Sequence, residues 1–176
     1  MPMPLSIGSF EPLPWVNEYT QTAMPIQGEV VAPILYFSLM WNLFERDTCK
    51  KEATRNNIEK AVTRAFGAGM LTLQPFEEHL AYFRHRAHRG DMSVEQYLDA
   101  LKMINEKDRH LVGAVLSGST EDPRKVVHAL LLVALRIRNN LFHGEKEVAY
   151  LHSQVDLFQA VNSLLATYLT VTKSAA

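Results

Sequence analysis

The chain has 176 residues, 47% of them hydrophobic and 21% charged, which fits one globular domain with a substantial core and excludes extensive disorder. Its formal net charge of -1 gives no global attraction to nucleic acid, so any such binding must come from local basic patches or from assembly of subunits. One cysteine, Cys49, excludes an intramolecular disulfide framework and is expected to be a small buried residue in a reducing cytoplasm. No run reaches the ~18 uncharged apolar residues of a membrane span, and the first residues lack the basic-then-apolar order of a secretory signal, so a soluble, cytoplasmic protein is expected.

Prolines at 2, 4, 12, 14, 25 and 33 crowd the start and predict a Pro-rich, extended arm over residues 1–28. Its apolar residues Phe10, Leu13, Trp15 and Val16 are expected to dock on the body or on a second subunit. From residue 29 to 176 the periodicity is helical. A helix over 33–46 starts with a proline suited to a first turn, and Leu35, Leu39, Trp41 and Phe44 should bury opposite sides of it. A second, over about 51–66, carries the stripe Ile58, Ala61, Val62, Ala65 and Phe66 and is stopped by the glycines at 67 and 69. A third covers about 75–88 and is broken by Gly90 and Asp91.

Ser93, with Gln96 three residues later, is a capping-box pattern, and the helix it opens should run through Tyr97, Leu98, Leu101 and Ile104. It continues or restarts through 111–116. Gly118, Ser119 and Thr120, then Asp122 and Pro123, mark the start of the next helix, and a last helix spans about 148–172. No strand-like alternation and no repeat is present. The expectation is an all-α, antiparallel bundle of about six helices whose core aligns the helix around Tyr36, the helix after Pro123 and the C-terminal helix.

Chemistry concentrates at residues 136–146, RIRNNLFHGEK, which follow the apolar run VVHALLLVAL at 126–135. Val127, Leu131, Ala134, Arg138 and Leu141 recur at steps of three and four, so Arg138 shares register with apolar positions and must be paired or used. Asn139 and His143 are four apart on one face, and Gly144 is the residue type that ends helices in the left-handed conformation. His143 would then sit at the negative end of a helix dipole, which favours the imidazolium. Arginine offers a planar donor fork for phosphate, asparagine a neutral donor and acceptor, and histidine a proton carrier, a set suited to a phosphodiester.

Arg138, Asn139 and His143 followed by Gly144 resemble the R-x(4-6)-H signature of the HEPN (higher eukaryotes and prokaryotes nucleotide-binding) family, here with four intervening residues. Arg136 satisfies the looser spacing of six, but Arg138 is the better match because a polar residue follows it directly. The resemblance covers about a dozen residues, with weaker support from the helix between Tyr36 and Asp47. It implies a metal-independent endoribonuclease of toxin or phage-defence type, with no cofactor, acting on RNA as a homodimer whose two motif helices form one composite site. Arg138, Asn139 and His143 would be catalytic, with Glu45, Asn140 and Lys146 in support. The alternative is a non-catalytic module of the same kind that binds a nucleotide or a partner protein, such as a nucleotidyltransferase antitoxin.

Residues 79–89, HLAYFRHRAHR, are the most basic stretch. Tyr82, Arg84, Arg86 and Arg89 form a candidate single-stranded RNA platform, in which aromatics stack bases and arginines track phosphates. The alternative is an amphipathic helix with Leu80 and Phe83 in the core and its arginines paired with Glu77, Glu78 and neighbours. A metal reading of His85 and His88 with His79 or Glu78 lacks a second ligand pair, and no metal is expected. The chain has no Gly-rich phosphate loop, no G-x-S-x-G and no H-E-x-x-H, so nucleotide hydrolysis, serine hydrolysis and zinc proteolysis have no support.

Overall fold

A computed structural model describes residues 10–21, 24–142 and 148–173. Among these the regular structure is helical: α1 (Pro12–Thr20), α2 (Gly28–Thr48), α3 (Arg55–Gly67), α4 (Glu77–Ala87), α5 (Val94–Ala100), α6 (Glu106–Leu116), α7 (Pro123–Phe142) and α8 (Val155–Thr172), with 3-10 turns at Gln74–Phe76 and Val148–Gln154. The all-α class is as expected, and the count exceeds the six helices expected from the pattern.

Helix ends follow local chemistry. Thr54 caps α3, its hydroxyl accepting the Asn57 N–H at 3.2 Å, and Ser93 and Gln96 form the expected reciprocal box at the start of α5. Asn105 accepts from the Lys107 and Asp108 N–H groups to open α6, and Asp122 accepts from the Lys125 N–H at 2.9 Å to open α7. After α3, Gly69 takes a left-handed φ of 70°, and the Met70 N–H returns to the Ala65 carbonyl at 3.0 Å. After α5 the same closure is made by a lysine: Lys102 has φ 52°, and the Met103 N–H bonds the Leu98 carbonyl at 3.0 Å. The helix therefore stops at Ala100 and restarts at Glu106, and Ile104, expected on an apolar stripe, is 84% exposed in the turn.

Three further expectations are corrected. The Pro-rich arm is not extended throughout, because residues 12–20 are helical; Pro12 and Pro14 fall in the first turn, where no backbone N–H is required. α2 begins at Gly28, so Pro33 lies inside it, and Leu35 and Leu39, expected to be buried, are 60% and 63% exposed beside Tyr36. The bundle is not uniformly antiparallel. Phe37 meets Phe158 and Phe44 meets Tyr168, and the C-terminal turns of α2 and α8 line one recess, so these two helices run parallel. Nothing in the connectivity forbids this, because five helices separate them.

α7 forms the centre. Val126, Val127, Leu130, Leu131, Val133 and Ala134 are fully buried, with α3, α4, α6 and α8 all in contact with the helix. α2 instead packs mainly on α8 through a ladder of Phe37, Trp41, Phe44, Phe158 and Tyr168. The Asn162 amide donates to the Pro33 carbonyl across the same seam at 2.8 Å.

His79 is buried on α4 with Nε2 3.0 Å from the Ser163 hydroxyl, and burial pushes its pKa down. The unfolded chain therefore binds this proton more readily than the folded one. Its contribution to stability is full above the unfolded value near ~6.5 and declines as pH falls below it. The melting temperature should drop as pH falls below about 6.5, and His79→Gln should make that drop shallower. An unaltered profile in a folded His79→Gln protein would assign the slope to other groups.

Candidate functional site

The last turns of α7 leave the core. Ile137 is buried, whereas Arg136, Arg138 and Asn139 are half-buried and Asn140 is buried again. Arg138 Nη1 donates to Asn139 Oδ1 at 3.3 Å, so two of the three residues expected to be catalytic are in mutual contact. The third, His143, lies outside the described residues, as do Gly144 and Lys146.

Arg136 and Asn140 have a different use. Arg136 Nε donates to the Leu101 carbonyl at 3.1 Å, and Asn140 Nδ2 donates to the same carbonyl at 3.2 Å. Both tie α7 to the end of α5, where the left-handed turn at Lys102 follows. Asn140, expected to support the site, is thus engaged in holding two helices together. Between the two arginines, Arg138 is the one whose fork is not committed to this joint.

Glu45, expected to support the site, has a partner of its own. It sits on α2, where its carboxylate accepts the Ala53 N–H at 3.3 Å across the turn into α3. Cys49 in that turn is buried, and burial pushes its thiol up to about 12, so it carries no thiolate at neutral pH.

The basic stretch on α4 is largely braced. Leu80 and Phe83 are buried, and Tyr82 is half-buried with its ring edge-on to Phe83 at 5.2 Å. Arg84 Nε donates to the Val115 carbonyl at 3.0 Å and its Nη1 reaches Glu121 at 3.4 Å, while Arg86 Nη2 donates to Gln154 at 3.4 Å. These partners lie across the bundle and not on Glu77 or Glu78. Arg89 is exposed at the end of the stretch. His88 Nδ1 donates to the Arg84 carbonyl at 2.8 Å, and His85 points to solvent. Among the described residues no group of three metal-ligating side chains occurs.

One constellation near the motif end was not legible as a motif. Arg55 clasps Asp108 through Nε and Nη2, with Nη2 2.8 Å from Oδ1, and Nη2 also reaches Asn105 at 2.9 Å. Arg55, Asn105 and Asp108 share a recess of about 210 Å³ with Leu132, Arg136 and Asn139 of α7. The available signal was Asp108 itself, one turn before Val112 on the apolar stripe of α6, since a buried carboxylate needs a cation. The cation lies 53 positions away and could not be named from spacing.

Compared with protein-family models, curated proteins and solved structures, the chain matches none.

The division of labour at the end of α7 can be measured. Asn140→Leu removes a buried donor from the Leu101 carbonyl and should cost about 1–2 kcal/mol, lowering Tm by ~2–8 °C. Arg138→Ala should cost less than ~1 kcal/mol, being half-exposed. A larger loss at Arg138 than at Asn140 in thermal melts would reverse the assignment.

Proposed function

We propose that this chain is a HEPN-like, metal-independent endoribonuclease of toxin or phage-defence type. The observation carrying the proposal is the Arg138–Asn139 contact at the wet end of an otherwise buried helix, immediately before His143 and Gly144 in sequence. In this reading His143 takes the proton from a ribose 2'-hydroxyl as that oxygen attacks phosphorus. The P–O5' bond breaks, and the leaving oxygen is protonated by an imidazolium, with a 2',3'-cyclic phosphate and a 5'-hydroxyl as products. Arg138 neutralises charge growing on the phosphorane oxygens, and Asn139 orients the substrate or the imidazole. A homodimer with two motif ends facing one cleft would supply both a base and an acid, and would double the local positive charge on a chain that is otherwise nearly neutral.

A second reading has its own support. Leu35, Tyr36 and Leu39 form an exposed apolar stripe on α2, of the kind that engages another protein, which favours a non-catalytic module bound to a partner. Growth separates the two: expression of the wild type should arrest it if RNA is cleaved, and His143→Ala should relieve the arrest.

In vitro, His143→Ala should abolish cleavage of single-stranded RNA with the fold retained, and chelators should leave wild-type activity unchanged. Arg138→Lys keeps the charge and loses the fork, so turnover should fall by ~10-fold or more with little change in Tm. Full cleavage by a folded His143→Ala protein would sink the reading.

A further inference from the structure

α7 floors a groove whose walls are α3 and α6. Two recesses open along it, of about 260 Å³ and 210 Å³, and Arg55 and Asp108 line both, so their ion pair stands as a bar between them. The first recess, toward the start of α7, is bordered by Lys107, Arg124 and Lys125, with His128 on its floor. The second leads to Asn139, the neighbour of Arg138. From Arg124 to Asn139 the helix rises about 22 Å at ~1.5 Å per residue.

Charge in this groove is not disposed as folding alone would place it. Arg84, Arg109 and Arg55 each hold a carboxylate, whereas among the described residues Lys107, Arg124 and Lys125 form no ion pair. Arg124 and Lys125 occupy the first turn of α7, the positive end of its dipole, where cations are disfavoured. α2, α4, α5, α6 and α8 each place an acid in that turn. Among the neighbouring acids Asp108 is engaged with Arg55, Glu121 with Arg84 and Asp122 with the Lys125 N–H, whereas Glu59 in the first recess and Glu106, which shares a further recess with Lys125, form no ion pair among the described residues. Cations kept at the wrong end of a helix, in a concave slot, are suited to an anion that meets them there.

Each recess is smaller than the ~300–1,000 Å³ of pockets for drug-sized ligands, and neither is lined by Phe, Tyr or Trp, so the groove suits phosphate and sugar units more than a stacked base. We infer that it is the track along which the backbone of a single-stranded RNA is led to the Arg138 end of α7. Lys107, Arg124 and Lys125 grip one phosphate, and the Arg55–Asp108 bar separates it from the next. The choice of RNA rests on the ribonuclease reading above. Binding through such a track depends on salt and is indifferent to base sequence.

The test uses the full chain and a labelled oligoribonucleotide of about 12 nucleotides with 2'-O-methyl sugars, which cannot attack its own phosphates, followed by fluorescence anisotropy at several salt concentrations. Arg124 and Lys125 are exposed, and reversing them suits the helix dipole, so R124E/K125E should fold. It should bind at least ~10-fold more weakly than wild type, with a salt slope shallower by roughly 1, while R89E on α4 stays within about twofold. Unchanged affinity in R124E/K125E, or a loss confined to R89E, overturns the track. Displacement of the RNA by an acidic peptide at equal concentration overturns the single-strand assignment in favour of a protein segment. Cleavage of unmodified RNA is scored separately: a wild type that binds through the groove and cleaves nothing keeps the track and loses the ribonuclease. If instead R124E/K125E both binds and cleaves normally, the ribonuclease stands and the track falls.

Discussion

From Val126 to Leu135, α7 leaves only His128 in partial contact with solvent, so an apolar helix must be covered on every side at once. Each fully buried Val or Leu contributes about 1.5–3 kcal/mol relative to exposure, and none of it is gained unless α3, α4, α6 and α8 close around the helix together. That requirement explains the layout better than connectivity does. α6 folds back onto α7 through a short turn, α3 and α4 cover it from earlier in the chain, and α8 closes the remaining side while carrying α2 on its far face. A helix that is dry through its middle can hold polar groups only at its ends or in slits between its neighbours, and α7 has both: Arg124 and Lys125 at one end, Arg136 to Asn140 at the other, and His128 in the groove.

Where helix ends were written in side chains and glycines, they were legible. Ser93 with Gln96, Asp122 before Pro123 and Gly69 after α3 act within a few residues, so the sequence carries the whole interaction. Lys102 shows the limit. It closes α5 in a conformation usually given to glycine, and with no glycine present the apolar residues beyond it, Ile104 included, continued the pattern on paper. α2 shows another. Apolar residues surround it, and which side is covered is decided by α8, more than a hundred positions away, so Leu35 and Leu39 could not be told from Trp41 and Phe44 by periodicity. α1 was hidden by its prolines, which deny a helix its interior and favour its first turn.

The candidate site divides along the same line. Asn139 and Asn140 are adjacent and chemically identical, and one lines a recess while the other is spent on the Leu101 carbonyl. Arg136 and Arg138, two apart, differ as well: Arg136 is bound to the same carbonyl, and Arg138 meets Asn139. A motif expressed as residue types cannot make either distinction, because the deciding partner is the end of α5, whose position depends on the turn at Lys102. The arginines of α4 repeat the point: their charge suggested a nucleic-acid platform, and spacing did not show that Arg84 and Arg86 reach Val115, Glu121 and Gln154. Basic composition marks where cations are, and only their partners tell which of them can meet a ligand.

The rigidity of α7 links these observations. Its middle is close-packed, so its two polar ends are held at a fixed separation of about 22 Å, and neither can shift without opening the core. At one end Arg138 and Asn139 are in contact at 3.3 Å, next to the last described turn of the helix. At the other end, Arg124 and Lys125 stand where the helix dipole already favours an anion. The fold thus carries the cost of a fully buried helix, and in return the backbone positions of its polar groups are set in place by the packing of its middle, so that those groups need little reorganisation to meet a ligand.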